Sequence, residues 1–299
     1  MFKKAEGETP RAKLFVYGGA GSGKTVFGMR WSELGGKLAV MDNEGGTHRY
    51  DREFEFHRFE PKNMSDVKEA IRWLGSESHD FTTLMIDPVT IMWDWHQQQW
   101  EEEFLRSRNP ANAGHYGGRY EFQPGDWRLV KQDWKRIFYL LRQLDMNVIA
   151  TARAKAEYAT GGEMMQRIGD TFDAEKGTNY EMDTALHFKK LANDERVAQV
   201  IKHRSYRKKM PNQFSIETMD VIVDHFGDAI SRKAVPIEYI TEESKEEMTR
   251  LLDFLGIEIE KRRKALKQYS VTRAEDLTQK QADEILIKLR KKSAKVTPF

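Results

Sequence analysis

The apolar positions of the chain form two kinds of pattern, short buried runs and stripes at helical spacing. The apolar runs predict strands at Leu14–Tyr17, Lys37–Met41, Thr82–Ile86 and Asn147–Ala150, and the alternation of apolar and polar residues predicts another at Glu53–Phe59. The stripes predict intervening helices at Val26–Leu34, Ser65–Gly75 and Thr90–Arg106, and a long helix that Asp126 N-caps. Because strands and helices alternate, the predicted fold class is α/β, a mostly parallel sheet with helices on both faces.

The pattern changes in the second half of the chain. Two apolar segments, Thr184–Leu191 and Arg196–His203, flank a polar turn and predict a β-hairpin. After about residue 232 the apolar residues fall at helical spacing, and Thr278 with Gln281 forms a capping box that opens a helix. We therefore expect a flexible arm (1–10), a core (11–232), a linker (233–241) and a small helical module (242–299).

The segment after the first strand matches the phosphate-binding P-loop pattern, Gly-x-x-x-x-Gly-Lys-Thr. Glycines let the backbone wrap closely around a phosphate, and N–H groups at the start of the next helix present partial positive charge. Lys24 is expected to reach the β- and γ-phosphates, and the Thr25 hydroxyl to bind Mg²⁺. The predicted nucleotide-binding residues are Gly18, Gly19, Ala20, Gly21, Ser22, Gly23, Lys24 and Thr25.

A nucleotide site of this kind also needs a carboxylate that holds Mg²⁺ through its water shell. Asp87 ends a buried apolar strand and is the predicted second metal ligand. The alternative is an ordinary turn, because Asp-Pro often begins turns. The P-loop upstream favours the metal role.

Two more acidic residues follow the second strand, at the edge of the sheet where ligands bind. Glu44 is the predicted catalytic base, because its carboxylate can orient and deprotonate the water that attacks the γ-phosphate. Asp42 is the alternative base. A solvated acid beside a Gly-Gly turn is the alternative to a catalytic role for Glu44.

Polar residues leave the strand Asn147–Ala150 at the same edge. Thr151 and Arg153 are the predicted sensors of the γ-phosphate, and they would couple it to the segment that follows. An ordinary surface charge is the alternative for Arg153.

The densest basic run, 202–209, lies at the end of the hairpin. This run is predicted either to supply a cation to the γ-phosphate of a neighbouring subunit or, through residues such as Arg207 and Lys208, to contact nucleic-acid phosphates. A solvated basic turn is the alternative.

Composition limits the partners and the compartment. The 299 residues carry a net charge of +2, so any nucleic-acid site must be local. The absence of cysteine excludes disulfides, zinc ribbons and thiol catalysis, and fits a reducing, cytoplasmic location. No apolar run approaches the roughly 18 residues that would span a membrane.

The order of these motifs resembles the RecA-type recombinase ATPase core over about residues 11–225. The shared order is P-loop, Asp-x-Glu strand end, Mg²⁺ aspartate, long loop, polar strand exit, second loop and a hairpin ending in Lys and Arg. Within that superfamily the chain is most similar to compact phage-encoded ATPases associated with single-strand annealing and recombination. Pro88 departs from the usual Ser or Thr, and Arg153 lies near the position of a glutamine sensor.

The resemblance implies a role for each motif. Glu44 corresponds to the catalytic glutamate, Asp87 to the Mg²⁺ aspartate, and Lys202 with Arg204 to cations that act in trans. The first DNA-binding loop falls on about 109–125 and the second on about 154–180. In the first loop Tyr116, Arg119 and Tyr120 suit base stacking and phosphate contact, and packing of the aromatic rings onto the core is the alternative.

The expected function is a DNA-dependent ATPase that binds ATP and Mg²⁺ between protomers of a ring or filament. It would act on single-stranded DNA in phage-type recombination, annealing or replication, in the cytoplasm of a bacterial host. Other recombination or replication proteins are expected partners of the helical module. The alternatives are a nucleotide-gated adaptor with little turnover, such as a helicase loader, and a packaging motor.

Overall fold

The computed structural model describes residues 9–102, 113–116, 119–120, 122–158, 166–205, 208–269 and 271–296. For 113–116, 119–120 and 295–296 it describes the backbone alone.

Eleven strands are present in the described chain. In chain order they are β1 (Lys13–Gly18), β2 (Lys37–Asp42), β3 (His57–Phe59), β4 (Phe81–Asp87), β5 (Ala113–Tyr116), β6 (Arg119–Tyr120), β7 (Asn147–Tyr158), β8 (Arg167–Phe172), β9 (Thr184–Lys190), β10 (Arg196–His203) and β11 (Gln213–Ser215). All but β5 and β6 form one sheet, in the order β11-β10-β9-β1-β7-β4-β2-β3, with β8 paired to β7. Strands β1, β2, β3, β4, β7 and β9 are parallel, and β8, β10 and β11 pair antiparallel.

The described helices connect these strands and form the end of the chain. They are α1 (Lys24–Met29), α2 (Met64–Ser76), α3 (Val89–Trp100), α4 (Pro124–Gln143), α5 (Thr178–Glu181), α6 (Asp220–Phe226), α7 (Glu242–Phe254), α8 (Ile259–Gln268) and α9 (Gln279–Val296). Short 3₁₀ turns lie at Arg30–Leu34, Thr47–Tyr50, Gly227–Ala229 and Ala274–Asp276.

Two apolar layers cover the two faces of the sheet. Along β1, Leu14 and Val16 point into a layer that includes Phe27 of α1. The alternate residues, Phe15 and Tyr17, point into the layer formed by α2, α3 and α4. Both faces are therefore buried beneath helices, which confirms the predicted α/β fold with a mostly parallel sheet.

Two predicted element boundaries were wrong. The predicted strand Glu53–Phe59 keeps only β3, its last three residues. Gln123, not Asp126, is the N-cap of α4: Asp126 is at position N3 and accepts a hydrogen bond at 3.0 Å from the Gln123 N–H. The two residues form a capping box, and Pro124 is the first helical residue after the N-cap. The helix therefore begins nearer the N-terminus than the sequence pattern predicted.

The predicted second loop, 154–180, contains ordered β-structure. Strand β7 continues to Tyr158 and pairs with β8, and 159–165 between them lie outside the described residues. Alternate residues of this extension, Arg153, Lys155 and Glu157, are exposed. Because neither face of the hairpin is continuously apolar, the sequence pattern gave no strand signal.

Two compact units divide the described chain. One holds the chain up to Leu74 with His79–Val235, and the other holds Gly75–Ser78 with Pro236 onward. The boundary after Val235 falls inside the predicted linker. In the second unit Thr278 and Gln281 form the expected capping box, with N···O distances of 3.0 and 3.3 Å.

Among the described residues, no helix combines the length and the apolar character needed to cross a bilayer.

A buried asparagine ties together the amino edge of the sheet. Asn147 Oδ1 accepts from the Ala12 N–H at 3.0 Å, and Nδ2 donates to Ile230 O at 2.9 Å and lies 3.1 Å from Thr82 O. The side chain is completely buried, so water cannot replace these partners.

We expect Asn147→Ala to lower the free energy of unfolding by about 3 kcal/mol, because it leaves several buried polar groups unpaired. Urea denaturation measures the change. The matched control is Asn193→Ala in the exposed hairpin turn, which should change stability by less than about 0.5 kcal/mol. Equal, small effects of the two substitutions would contradict the role assigned to Asn147.

Candidate active site

The P-loop joins β1 to α1 at the carboxyl edge of the parallel strands. Gly23 has φ of 90°, in the left-handed region, and a Cβ there would lie 2.7 Å from Ile216 Cδ1. A Cβ at Gly18 would lie 2.5 Å from the carbonyl oxygen of Phe188 on β9. Packing therefore requires glycine at both positions, and at Gly23 the backbone conformation requires it as well.

Lys24 begins α1 and folds back over the loop. Its Nζ donates to Gly18 O at 2.9 Å and to Gly19 O at 3.0 Å. Burial lowers the pKa of Lys24, and the nearby Asp87 and Glu44 carboxylates oppose that shift. The ammonium group is thus held by weak carbonyl acceptors at the place where phosphate oxygens would replace them.

Asp87, at the end of β4, collects two hydroxyl donors. Thr25 Oγ1 donates to Oδ2 at 2.7 Å, and Thr151 Oγ1 of β7 donates to Oδ1. The side chain is 4% exposed, and burial raises the pKa of Asp87 while the two hydroxyls lower it. Three residues predicted separately from the sequence therefore meet at one carboxylate.

This pair of oxygen ligands fits a hard cation. Mg²⁺ is usually bound by one or two protein oxygens together with substrate phosphates, and Asp87 and Thr25 supply such a pair. Within the described part of the chain, no group of three or more His, Cys, Asp or Glu side chains could hold a metal by itself. The residues would therefore hold Mg²⁺ only with a phosphate ligand present.

Asp42, at the end of β2, organises the loop that follows it. Its Oδ1 accepts the N–H groups of Glu44, Gly45 and Gly46 at 3.2, 2.8 and 3.2 Å. Its Oδ2 accepts both the N–H and the hydroxyl of Thr47, at 2.9 and 2.6 Å. Burial would raise the pKa of Asp42, but these hydrogen bonds outweigh it and hold the pKa below its ordinary value of 3.8.

The occupied oxygens of Asp42 bear on the choice of base. Both are buried and bonded within the loop, and the side chain is only 2% exposed. Glu44, two residues on, projects from this loop and retains an accessible carboxylate. The geometry favours Glu44 over Asp42 as the candidate base.

Glu44 forms an ion pair with Arg153 of β7 across the mouth of the site. Arg153 Nη2 donates to Glu44 Oε2, and the Arg153 N–H donates to Thr90 Oγ1 at 3.0 Å. The two charged side chains are 38% and 52% exposed, so the pair is worth at most about 1 kcal/mol. A phosphate group can replace Glu44 as the partner of Arg153 at little cost.

A cleft of about 580 Å³ opens beside the P-loop and α1. Arg196, the first residue of β10, lies on its wall: Nε donates to Gly21 O at 3.2 Å and Nη1 lies 3.5 Å from Glu217 Oε1. Tyr50 and Arg30 also line it. The volume of the cleft is large enough for the nucleoside part of a nucleotide.

Sequence reasoning missed Arg196. A signal was available, because β9 is parallel to β1 and the turn of the following hairpin must return at the carboxyl edge. The first residue after that turn is therefore beside the P-loop. Asn43 was also missed: its N–H donates to Asp87 O at 2.9 Å and its side chain to Pro88 O at 2.9 Å.

Lys202 and Arg204 lie at the opposite edge of the sheet from the P-loop. In the register of β10, Lys202 is opposite Ala185 near the start of β9. Its Nζ donates to the carbonyls of Asn179 and Tyr180 at 3.1 Å, while Arg204 Nη1 lies 3.2 Å from Asp183 Oδ1. Neither cation reaches the P-loop of its own chain, and a role toward another subunit stays a prediction.

The predicted nucleic-acid contacts are only partly described. Arg207 lies outside the described residues, and for Tyr116, Arg119 and Tyr120 the backbone alone is described, in the hairpin β5–β6. Lys208 is exposed, with Nζ 2.8 Å from Asp224 Oδ1.

Comparison with known families adds one finding. The profile of a family described as an AAA domain matches residues 11–211, more than half of the chain. The match includes the P-loop, the Asp42–Thr47 loop, Asp87 and both strands of the hairpin β9–β10. A comparison with curated protein sequences finds no match.

The Asp42 network predicts a pH-dependent contribution to stability. Because the pKa of Asp42 is lower in the folded than in the unfolded chain, its carboxylate stabilises the fold above the ordinary pKa. That contribution is lost as the pH falls through the lowered value. Asp42→Asn should lower the free energy of unfolding by about 2 kcal/mol at neutral pH, and by less below about pH 4.

Urea denaturation at the two pH values measures this difference. Asp228→Asn, at an exposed position, is the matched control and should leave stability nearly unchanged at both. Full stability of Asp42→Asn at neutral pH would show that the carboxylate does not organise the loop.

Proposed function

Because the chain belongs to the AAA domain family of P-loop nucleotide-binding ATPases, we propose that it hydrolyses ATP in a reaction stimulated by single-stranded DNA. The observation that supports hydrolysis is the meeting of Lys24, Asp87 and Glu44 at neighbouring strand ends. Strand β7 lies between the P-loop strand β1 and strand β4, so its side chains lie between the P-loop and Asp87.

Each of these residues has one task in the proposed reaction. Lys24 exchanges its carbonyl acceptors for β- and γ-phosphate oxygens. Thr25 and Asp87 would hold Mg²⁺, which neutralises phosphate charge when bound. Glu44 orients a water and accepts its proton while the water oxygen bonds to the γ-phosphorus. The bond from that phosphorus to the bridging oxygen breaks, and its electron pair leaves on ADP.

The nucleoside is proposed to occupy the cleft beside α1. With the γ-phosphate directed toward Asp87 and Glu44, the other end of the nucleotide extends toward Arg196 and Tyr50. An aromatic ring and a guanidinium group both suit contact with a purine base.

DNA stimulation is proposed to act through β7. On this strand the Thr151 hydroxyl contacts Asp87 and the Arg153 guanidinium contacts Glu44. The strand then continues past these residues and pairs with β8 to form the hairpin β7–β8. A nucleic acid on that hairpin would therefore shift the two side chains that contact the catalytic carboxylates. The resemblance to RecA-type cores, with DNA at the segment after this strand, supports the same coupling and the phage-type, cytoplasmic role in recombination or annealing.

A second copy of the chain is proposed to complete the site in a ring or filament. Lys202 and Arg204 are exposed or half-buried at the amino edge, at a distance from their own P-loop, which suits a role toward a neighbour. Their present partners, backbone carbonyls and Asp183, would have to be exchanged for phosphate oxygens.

The central prediction concerns ATP turnover with and without single-stranded DNA. DNA should raise the rate of phosphate release, and Glu44→Gln should lower the stimulated rate at least about 100-fold while ATP still binds, since only the general base is lost. Lys24→Ala should weaken both ATP binding and turnover. A coupled assay of ADP release and a fluorescent ATP analogue measure the two properties.

Glu53→Gln is the matched control, because it makes the same charge change at an exposed site in the same connection between β2 and β3. It should retain full activity. ATP binding without turnover under every DNA condition would exclude the proposed ATPase in favour of a nucleotide-gated adaptor.

A separate prediction concerns the ion pair at the base of the hairpin. Arg153→Ala releases Glu44, so DNA-free turnover should rise by up to about fivefold, the equivalent of a weak exposed ion pair. The stimulation by DNA should fall in parallel. Lys37→Ala, which removes an exposed cation at the start of β2 and its pair with Asp80, is the control and should change neither rate. A loss of turnover in both conditions would show instead that Arg153 assists the phosphates directly.

A further inference from the structure

Helix α8 (Ile259–Gln268) in the second unit is unusually basic and exposed. Five of its ten residues are Lys or Arg, one is Glu, and none of the ten is buried. Its first residue, Ile259, is 64% exposed. The helix therefore presents nearly all of its side chains to solvent.

Such a helix has little to stabilise it within the chain. A helix of this length is marginal in water and normally depends on burying an apolar face. Like charges three or four residues apart also repel, and α8 places Lys261 beside Lys264 and Arg263 beside Lys267. A polyanion lying along the helix would offset this repulsion.

Three cations of α8 are available for such a ligand. Two others are engaged: Arg262 Nη2 lies 2.6 Å from Asp253 Oδ1, and Lys261 Nζ lies 3.7 Å from Glu258 Oε2. For Arg263, Lys264 and Lys267, no hydrogen bond or ion pair is found among the described residues. Because these three are one, three or four positions apart, they share one side of the helix.

We infer that α8 is a docking helix for the phosphate backbone of a nucleic acid, with Arg263, Lys264 and Lys267 as its contacts. A regular polyanion is the ligand that complements consecutive unpaired cations on an exposed helix. The helix lies outside the ATPase core, so this contact holds without nucleotide. The inference rests on the proposed function only in the choice of nucleic acid as the polyanion.

The test compares binding of a labelled single-stranded oligonucleotide, and of a duplex, to the full chain without nucleotide over a series of salt concentrations. The variant Arg263→Ala/Lys264→Ala/Lys267→Ala keeps strong helix formers in place. For the single strand, the plot of log affinity against log salt concentration should become less steep by about 2 units of slope. This is the change expected when three phosphate contacts are lost. Affinity at low salt should fall about tenfold or more for both probes.

A charge-matched control is Lys37→Ala/Lys62→Ala/Lys280→Ala, which removes three exposed cations elsewhere. It should retain the slope of the unmodified chain, and circular dichroism should show unchanged helix content in both variants. Equal losses in the two variants would overturn the inference, since net charge alone would explain binding. Polyglutamate competing as well as the oligonucleotide would overturn it in favour of an acidic protein partner.

The two proposals can fail separately. Loss of DNA-stimulated turnover with intact α8-dependent binding would contradict the proposed function and leave the docking helix in place. DNA-stimulated turnover in the core, with unchanged DNA binding by the α8 variant, would contradict the docking helix alone.

Discussion

The buried carboxylate of Asp87 is the interaction on which the arrangement of the site depends. A buried charge is costly unless it is hydrogen-bonded, and here two hydroxyls from different elements supply the bonds. Thr25 links the carboxylate to the P-loop helix, and Thr151 links it to β7. The same bonds that make the charge tolerable therefore hold the P-loop, β4 and β7 in one relative position, and they leave oxygen ligands where a phosphate-bound cation is needed.

The loop after β2 has a different role, because it holds the exposed carboxylate of Glu44 in a fixed position. Asp42 does this by accepting five hydrogen bonds from the loop itself, which leaves Glu44 exposed at its tip. The environments of the two acids differ. Asp42 is buried and both of its carboxylate oxygens accept hydrogen bonds, whereas Glu44 is exposed and pairs with the exposed Arg153. The ion pair with Arg153 positions the Glu44 side chain, and because the pair is weak it can break at little cost in free energy.

Strand β7 connects these parts to the outside. Its buried half contributes to the sheet core, its middle residues contact Asp87 and Glu44, and its outer half leaves the sheet with β8. Residues two apart on a strand point to the same face of the sheet. Thr151 and Arg153 therefore contact two neighbouring carboxylates, those of Asp87 and Glu44. The path from the hairpin to the two carboxylates therefore runs along a single strand. The second unit, with its exposed basic helix, offers a contact that does not use this path.

The sequence by itself determined the buried central strands β1, β2 and β4, the P-loop and the positions of Asp87 and Glu44, because buried strands are largely apolar and phosphate loops need glycine at fixed spacing. Only the tertiary structure decided which side chains meet. Arg153 and Glu44 are 109 positions apart, and Arg196 reaches the P-loop from 175 positions away. Such contacts depend on strand order and register, which local patterns do not encode. For the same reason the sequence could not show that Asp42 is saturated, or that the end of β10 lies at the far edge of the sheet.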